Sequence, residues 1–276
     1  MKKKVILIHL LAWFIALMWV LPFLGIFMTS IRPLNEILHG WWNFESFNPT
    51  LDNYLEAWSD PMFPLWRGEL NSLIVAIPAT ILPLFIGALS AYAFTRFSFP
   101  LKNYLFLTLV LLMAMPLQSV IIPLFIMMNN WGLINSYLSL IMIHSAWGLP
   151  WILLFMRNYF STLPIETEEA ARVDGASDFK VFLRIIIPIS LPALISVMVL
   201  QFLWVWNDFF LALILVYEPD MYLATQCVPR IGMGQYHQNW GVLSAGSIIV
   251  MIIPILVFVF LQKYYVKGLT GWALKG

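Results

Sequence analysis

The residues best suited to chemistry lie between positions 201 and 208, in a stretch that is otherwise apolar. In helical phase Gln201, Trp204 and Asp208 share one face, and Asn207 lies about 100° to one side. Amides and carboxylates bond hydroxyl groups, and an aromatic face can cover the C–H surface of a sugar ring. These residues are therefore candidate contacts for a solute. The alternative is a structural role, in which Asn207 and Asp208 bond a neighbouring helix or a helix end.

A second polar candidate is Gln118, which follows Pro116 and precedes Pro123 in another apolar stretch. Proline removes a backbone hydrogen bond and kinks a helix, which a membrane tolerates only where protein or cavity water compensates. An irregular helix near Gln118 is thus a pathway candidate, with simple packing as the alternative.

Between residues 160 and 190 the chain is charged, and local signals predict two short helices. Pro164 suits a first helical turn, and the three glutamates that follow complement the helix dipole. Gly175 is placed to end this helix in the left-handed conformation, and Ser177 can cap a second one. The first helix is predicted over 164–175.

Small residues let this first helix approach another surface closely. Ala170 and Ala171 are small, and Glu169, Arg172 and Asp174 project from the helix. A solvated loop would account for the pattern. So would a helix that docks in a cleft of another protein and transmits its movement.

Catalytic signatures are absent from the sequence. No phosphate-cradling G-x-x-x-x-G-K-S/T occurs, and no serine or cysteine has a credible base partner. His9, His39, His144 and His237 are too far apart in sequence for metal-ligand spacing. We therefore predict no catalytic residue, no metal site and no cofactor bound by this chain.

Composition indicates a membrane protein. Of 276 residues, 61% are hydrophobic and 11% charged, whereas soluble domains are about a quarter charged. The net charge of +1 gives no indication of nucleic-acid binding, and the single cysteine, Cys227, excludes an intrachain disulfide.

Six apolar segments are long enough to cross a bilayer, which takes about 20 residues. They predict an all-α fold with helices near residues 5–31, 70–95, 105–128, 137–156, 185–216 and 242–262. Met1 to Lys4 precede an apolar run too long for a signal peptide, so the first helix is retained. With the N-terminus inside, inner segments hold twelve Lys and Arg residues and outer segments three. This asymmetry predicts that both termini are cytoplasmic.

The predicted organisation is a first helix over 1–31, an extracytoplasmic segment over 32–69 and a five-helix core over 70–276. The segment 32–69 is acidic and rich in tryptophan. Tryptophan anchors proteins at the membrane interface. Docking of an external partner protein is the alternative reading.

Several ordered motifs resemble the binding-protein-dependent ABC importer permeases. Glu169-Ala170-Ala171-x-x-Asp174-Gly175-Ala176, followed by Ile187-Pro188 and Pro192, looks like that family's EAA loop. Further motifs resemble its carbohydrate branch: Asn71-Ser72, Ala91-Tyr92-Ala93-Phe94-x-Arg96-Phe97, Trp206-Asn207-Asp208-Phe209, Trp240-Gly241 and the tail from Gln262 to Thr270 with Lys275-Gly276.

The resemblance implies a type I importer permease fold and a location in a bacterial or archaeal inner membrane. It implies that Glu169, Ala170, Ala171, Asp174 and Gly175 form a coupling helix received by an ATPase subunit. The expected partners are an ATPase dimer that uses ATP and Mg, a second permease subunit forming a heterodimer, an extracytoplasmic solute-binding protein, and a carbohydrate.

Two other functions remain open at this stage. An ion-coupled secondary transporter or channel would have to use Asp208, the only acidic residue in a predicted span. A membrane assembly or sensor subunit would bind the ATPase and transport nothing.

Overall fold

The fold is helical throughout the part that the computed structural model describes, residues 2–233 and 238–273, with side chains described for 4–233 and 238–264. Met1, His237, Lys275 and Gly276 lie outside the described residues, as do the side chains of the tail motif from Tyr265 onward. Over the described ranges the only β-pairing is one isolated bridge between Met233 and Gln238.

Fourteen α-helices follow one another along these described ranges. They are α1 (Lys2–Ser30), α2 (Leu34–Ile37), α3 (Asp52–Trp58), α4 (Leu65–Arg96), α5 (Lys102–Met113), α6 (Ile121–Asn130), α7 (Tyr137–Phe160), α8 (Glu166–Val173), α9 (Asp178–Val181), α10 (Ile187–Ile189), α11 (Leu191–Trp206), α12 (Phe210–Leu215), α13 (Ala224–Cys227) and α14 (Trp240–Ala273). A 3-10 turn at Leu117–Val120 precedes α6, and a π-helical turn at Phe182–Ile186 joins α9 to α10.

Four of the described helices are long and apolar enough to cross a membrane. Their membrane-spanning portions are Lys4–Ser30, Leu65–Arg96, Tyr137–Phe160 and Trp240–Tyr264, which agree with the first, second, fourth and sixth predicted spans. Two bent pairs supply the remaining apolar length, so the described chain reaches six spans when each pair counts as one.

The irregular helix predicted near Gln118 is confirmed, and the third and fifth predicted spans are each a bent pair of helices. The third span bends by 99° between α5 and the 3-10 turn that leads into α6. Pro116 has no N–H to donate, so the helix ladder cannot continue through it. In the fifth span the chain bends by 79° at Ser190, which lies between Pro188 and Pro192, and α11 ends at Trp206.

The described chain forms two compact units. One comprises Met1–Leu70 and Tyr222–Ile253, and the other comprises Asn71–Met221 and Pro254–Gly276. In the first unit the segment 32–69 is folded, because the amide of Asn53 donates to the carbonyls of Ser30 (2.9 Å) and Arg32 (2.8 Å). The role of this segment stays a prediction.

The same unit places Gly68 of α4 against α13. A Cβ on Gly68 would lie 3.0 Å from the sulfur of Cys227 and 3.1 Å from the Cα of Ala224. Burial raises the pKa of the Cys227 thiol to about 12, so the thiol stays protonated at neutral pH.

The core of the second unit joins α4, α7, the π-helical turn and α11. Its buried residues include Ala88, Tyr92, Ile152, Phe182 and Val197. A Cβ on Gly87 would lie 2.6 Å from a methyl group of Ile152, so α4 and α7 approach closely at small residues. The small residues at 87–91 favour such a close approach.

Candidate functional site

The charged loop does contain a short helix, but it is shorter than predicted. α8 runs from Glu166 to Val173, whereas the sequence predicted 164–175. Ile165 and Asp174 are its N-cap and C-cap residues. The predicted cap of the following helix is confirmed, since the hydroxyl of Ser177 accepts a hydrogen bond from the N–H of Lys180.

Gly175 lies two residues after the last helical residue and takes the left-handed conformation that the sequence predicts for the end of this helix. Its φ of +83° lies in the left-handed region. The N–H of Gly175 donates to the carbonyl of Arg172 (3.0 Å), and the N–H of Ala176 donates to that of Ala171 (3.0 Å). These two bonds form a Schellman motif, which satisfies carbonyls that the helix end would leave unpaired.

α8 has one face against the second unit and one face in the open. Glu168 is fully buried, and Ala171 packs against the core of the unit. Glu169, Ala170, Asp174 and Gly175 are exposed, as is Val173, which has 88% of its surface accessible. Four of the five predicted coupling residues therefore lie on the open side, and Ala171 lies on the packed side.

Arg96 at the end of α4 binds the buried face of α8. Its Nη2 and Nε each lie 2.7 Å from Oε1 of Glu168, and the two side chains are 8% and 0% exposed. The same guanidinium donates to the carbonyls of Phe160 (3.1 Å) and Leu163 (3.3 Å). One arginine thus links the ends of α4 and α7 to the start of α8.

The other carboxylate oxygen of Glu168 is also bonded. The hydroxyl of Tyr92 donates to Oε2 (3.2 Å) and accepts from Arg172 (3.1 Å). Arg172 also donates to Asp178 (2.8 Å), and this hydrogen bond raises the pKa of the Arg172 guanidinium, which stays charged.

Sequence reasoning missed Glu168, Arg96 and Tyr92 as members of this site. A usable signal was present, because Glu168, Ala171 and Arg172 have the i, i+3, i+4 spacing of one helix face. Arg96, which is far away in sequence, determines which of the three neighbouring glutamates is buried. The spacing of the glutamates alone does not predict this choice.

Gln201 lies at the junction of three helices of the second unit. Pro83 cannot donate to the carbonyl of Ala79, and Nε2 of Gln201 donates to that carbonyl instead (3.2 Å). The same nitrogen reaches the carbonyl of His144 (3.3 Å), and the Oε1 atom accepts from the indole of Trp151 (3.0 Å).

A glycine makes room for this amide. A Cβ on Gly148 would lie 2.5 Å from Nε2 of Gln201, closer than real Cβ contacts come. The hydrogen bonds of Gln201 therefore join α4, α7 and α11, which is a structural arrangement. Its predicted contact with solute stays a prediction.

The helical stripe predicted to include Asp208 does not form. α11 ends at Trp206, and Asp208 lies in the break before α12, where its carboxylate accepts from the N–H groups of Leu211 (3.1 Å) and Ala212 (3.2 Å). This capping role is the structural alternative that the sequence left open. Asn207 bonds within its own helix, donating to the carbonyl of Leu203 (2.7 Å).

Asp208 nevertheless lies beside a polar and aromatic cavity of the second unit. Oδ2 of Asp208 is 3.6 Å from Nε2 of His144, which is buried. The lining of this narrow cavity comprises Leu117, His144, Trp147, Gly148, Trp151, Gln201, Trp204 and Leu211.

The predicted pathway residues distribute unevenly around this cavity. Gln201 and Trp204 line it, and Trp204, Asn207 and Asp208 line an open groove next to it. Gln118 is exposed in the 3-10 turn, where its neighbour Leu117 reaches the cavity. His144, Trp147 and Trp151 were not predicted, because their spacing along α7 does not separate a cavity lining from ordinary helix packing.

Known proteins resemble this chain along its whole length. The family described as "Binding-protein-dependent transport system inner membrane component" matches residues 83–271, which is more than half of the chain. A probable ABC transporter permease protein of Pyrococcus horikoshii is 51% identical over 273 residues, which cover 99% of this chain and 99% of that protein.

Relatives with a stated solute are also similar. An osmoprotective compounds uptake permease protein of Synechocystis is 40% identical, over 97% of this chain and 91% of that protein. An alpha-glucoside transport system permease protein of Rhizobium meliloti is 40% identical, over 82% of this chain and 60% of that protein.

A solved structure has the same fold. A bacterial ABC transporter involved in the import of alginate, an acidic polysaccharide, superposes with a TM-score of 0.82 at 22% identity, over 96% of this chain and 97% of that one. This all-α arrangement is the type I importer permease fold. The chain belongs to the binding-protein-dependent ABC importer permeases, and its relatives include a permease named for alpha-glucosides.

Proposed function

We propose that this permease converts ATP hydrolysis on a separate subunit into alternating access of a sugar pathway. The observation that carries the proposal is the exposed face of α8, formed by Glu169, Ala170, Val173 and Asp174. It is a short charged surface with small side chains, held on its inner side by the buried Glu168. Such a face can enter a cleft of another protein and follow its movement.

The partners follow from the absence of a phosphate loop and from the family. The chain has no G-x-x-x-x-G-K-S/T, so an ATPase dimer would bind ATP and Mg. The family's description as binding-protein-dependent supports a solute-binding protein on the outer side. A second permease subunit, different from this one, would complete the pathway. The organisms of the relatives support a bacterial or archaeal cell membrane.

The solute is a sugar or oligosaccharide under this proposal. A relative named for alpha-glucosides supports it. So does the open groove of the second unit, where Trp204 lies beside Asn207 and Asp208. Aromatic faces and hydrogen-bonding groups together suit the C–H surface and the hydroxyls of a sugar ring. Gln118, Gln201, Asn207 and Asp208 remain candidate contacts.

Reconstitution tests the proposal. Proteoliposomes with this chain, its partner permease and the ATPase dimer receive the solute-binding protein and a panel of radiolabelled α-glucosides and alginate oligosaccharides outside. ATP inside the vesicles is expected to drive uptake of at least one sugar, and binding-protein addition is expected to stimulate ATP hydrolysis. Uptake of a sugar by vesicles that hold this chain alone, under an ion gradient and without ATPase, would contradict the proposal.

The substitution Asp208→Asn separates this function from ion coupling. An amide oxygen can still accept from Leu211 or Ala212 and from a sugar hydroxyl, so the cap of α12 and any solute contact are both largely retained. We expect ATP-driven uptake to fall by less than about threefold, since a neutral cap costs roughly 0.5 kcal/mol. The readout is the initial rate of uptake in the reconstituted system. An ion-coupled carrier that used Asp208 would instead lose uptake.

A further inference from the structure

We propose that Arg96 and Glu168 form the positioning contact through which the movement of α8 is passed to α4 and α7. The inference rests on the proposed coupling function of α8 and concerns the inner face of that helix, which does not meet the ATPase. Neither residue is a solute contact. Both would act by holding three helix ends in one fixed arrangement.

The first observation is that this ion pair is buried. The side chains are 8% and 0% exposed, and both carboxylate oxygens of Glu168 are bonded: Oε1 by Arg96, and Oε2 by Tyr92 and, at 3.4 Å, by Arg172. The nearby pair of Arg172 and Asp178 is different, with exposures of 32% and 48%. Exposed pairs are screened and flexible, whereas a buried, fully bonded pair keeps one geometry.

The second observation is where the two charges lie. The Arg96 guanidinium meets the carbonyls of Phe160 and Leu163 at the C-terminal end of α7, and Glu168 lies in the first turn of α8. A positive charge at a helix C-terminus and a negative charge at a helix N-terminus are both favourable. The pair therefore ties α8 to the ends of two spanning helices at once.

The ion pair also restrains how α8 can move against the unit. Ala171 of α8 packs against the core, and so small a side chain does not by itself fix the position of the helix. The two Arg96–Glu168 bonds, both 2.7 Å and both to Oε1, join α8 to the end of α4. A push on the exposed face of α8 then displaces α4 and α7 with it, as one rigid body.

Three variants test the inference in proteoliposomes that hold the complete transporter. The readout is the number of sugar molecules taken up per ATP hydrolysed, for the sugar of the panel that the wild-type transporter takes up. Glu168→Gln is expected to lower this ratio by about tenfold, because it leaves Arg96 buried without its counter-charge. Asp178→Asn is the matched control. It removes an exposed carboxylate nearby, and we expect the wild-type ratio.

A double variant separates positioning from stability. Arg96→Met with Glu168→Leu replaces the pair by apolar groups, which often leaves stability unchanged or higher. Here the carbonyls of Phe160 and Leu163 lose their bonds to Arg96, so we expect it to melt below the wild type but above Glu168→Gln, which leaves a buried charge unpaired, and still to lose about tenfold in the coupling ratio. If Glu168→Gln fails to accumulate, this double variant decides.

A wild-type ratio in either Glu168→Gln or the double variant would overturn the inference. So would an equal loss in Asp178→Asn, which would show that any change in this region uncouples the transporter. Failure of the wild-type transporter to take up any sugar of the panel would count against the proposed function and not against the pair.

Discussion

Replacing Gly175 by valine is expected to reduce ATP-driven uptake about tenfold while the protein accumulates in the membrane at its normal level. Gly175 has φ +83°, a conformation that costs an L-residue roughly 1–2 kcal/mol and a β-branched one most. Nothing lies within 4 Å of a Cβ built there, so no core contact is lost. The strain instead disfavours the Schellman turn that holds the exposed face of α8. Because about 1.4 kcal/mol corresponds to a tenfold change in the population of a conformation, this strain lowers the population of the docking-competent turn about tenfold.

Gly132→Val is the matched control for this substitution. Gly132 also has positive φ (+67°) and open space around a Cβ, but it lies in the turn between α6 and α7. It carries similar strain away from α8, and we expect uptake near the wild-type rate. Initial uptake rates and membrane protein levels are measured for both variants. Normal uptake in Gly175→Val, or an equal loss in Gly132→Val, would contradict a coupling role for this turn.

Gln201→Leu is expected to lower the melting temperature on the order of 10 °C. The leucine leaves the carbonyl of Ala79 and the indole N–H of Trp151 without the partners they have now. Each buried polar group left unpaired costs roughly 1–3 kcal/mol. Thermal unfolding of the purified chain in detergent, followed by loss of soluble protein, measures the effect.

Pro83→Ala should partly rescue this loss. An alanine at 83 restores the N–H that α4 lacks, and that N–H can donate to the carbonyl of Ala79. In the wild-type background the same change should have little effect, because Gln201 already pairs with that carbonyl. The two substitutions therefore form a double-mutant cycle with a favourable interaction energy. Strictly additive effects would show that Gln201 does not compensate for Pro83.

The features that depend on local chemistry were predictable from the sequence. The apolar runs gave the four continuous spans, and Gly175 and Ser177 marked a helix end and a helix cap that the structure confirms. Each of these rests on residues close together in the chain, where propensity and length decide the outcome.

The features that depend on tertiary contacts were not predictable. The prolines predict that the third span is irregular near Pro116, but they do not predict the size of the bends, 99° there and 79° at Ser190. Helical phase assigned Asp208 to a stripe, although α11 stops two residues earlier and Asp208 caps the next helix. The sequence motif pointed to Glu169, but the buried glutamate is its neighbour Glu168, because Glu168 pairs with Arg96.

Site-specific photo-cross-linking from α8 tests the central claim most directly. A photoreactive amino acid is placed at Val173, on the exposed face, or at Ala171, on the face packed against the core. In membranes that contain the whole transporter, we predict that position 173 cross-links to the ATPase subunit and that position 171 cross-links only within this chain. The absence of any ATPase adduct from position 173, or equal adducts from both positions, would contradict the account.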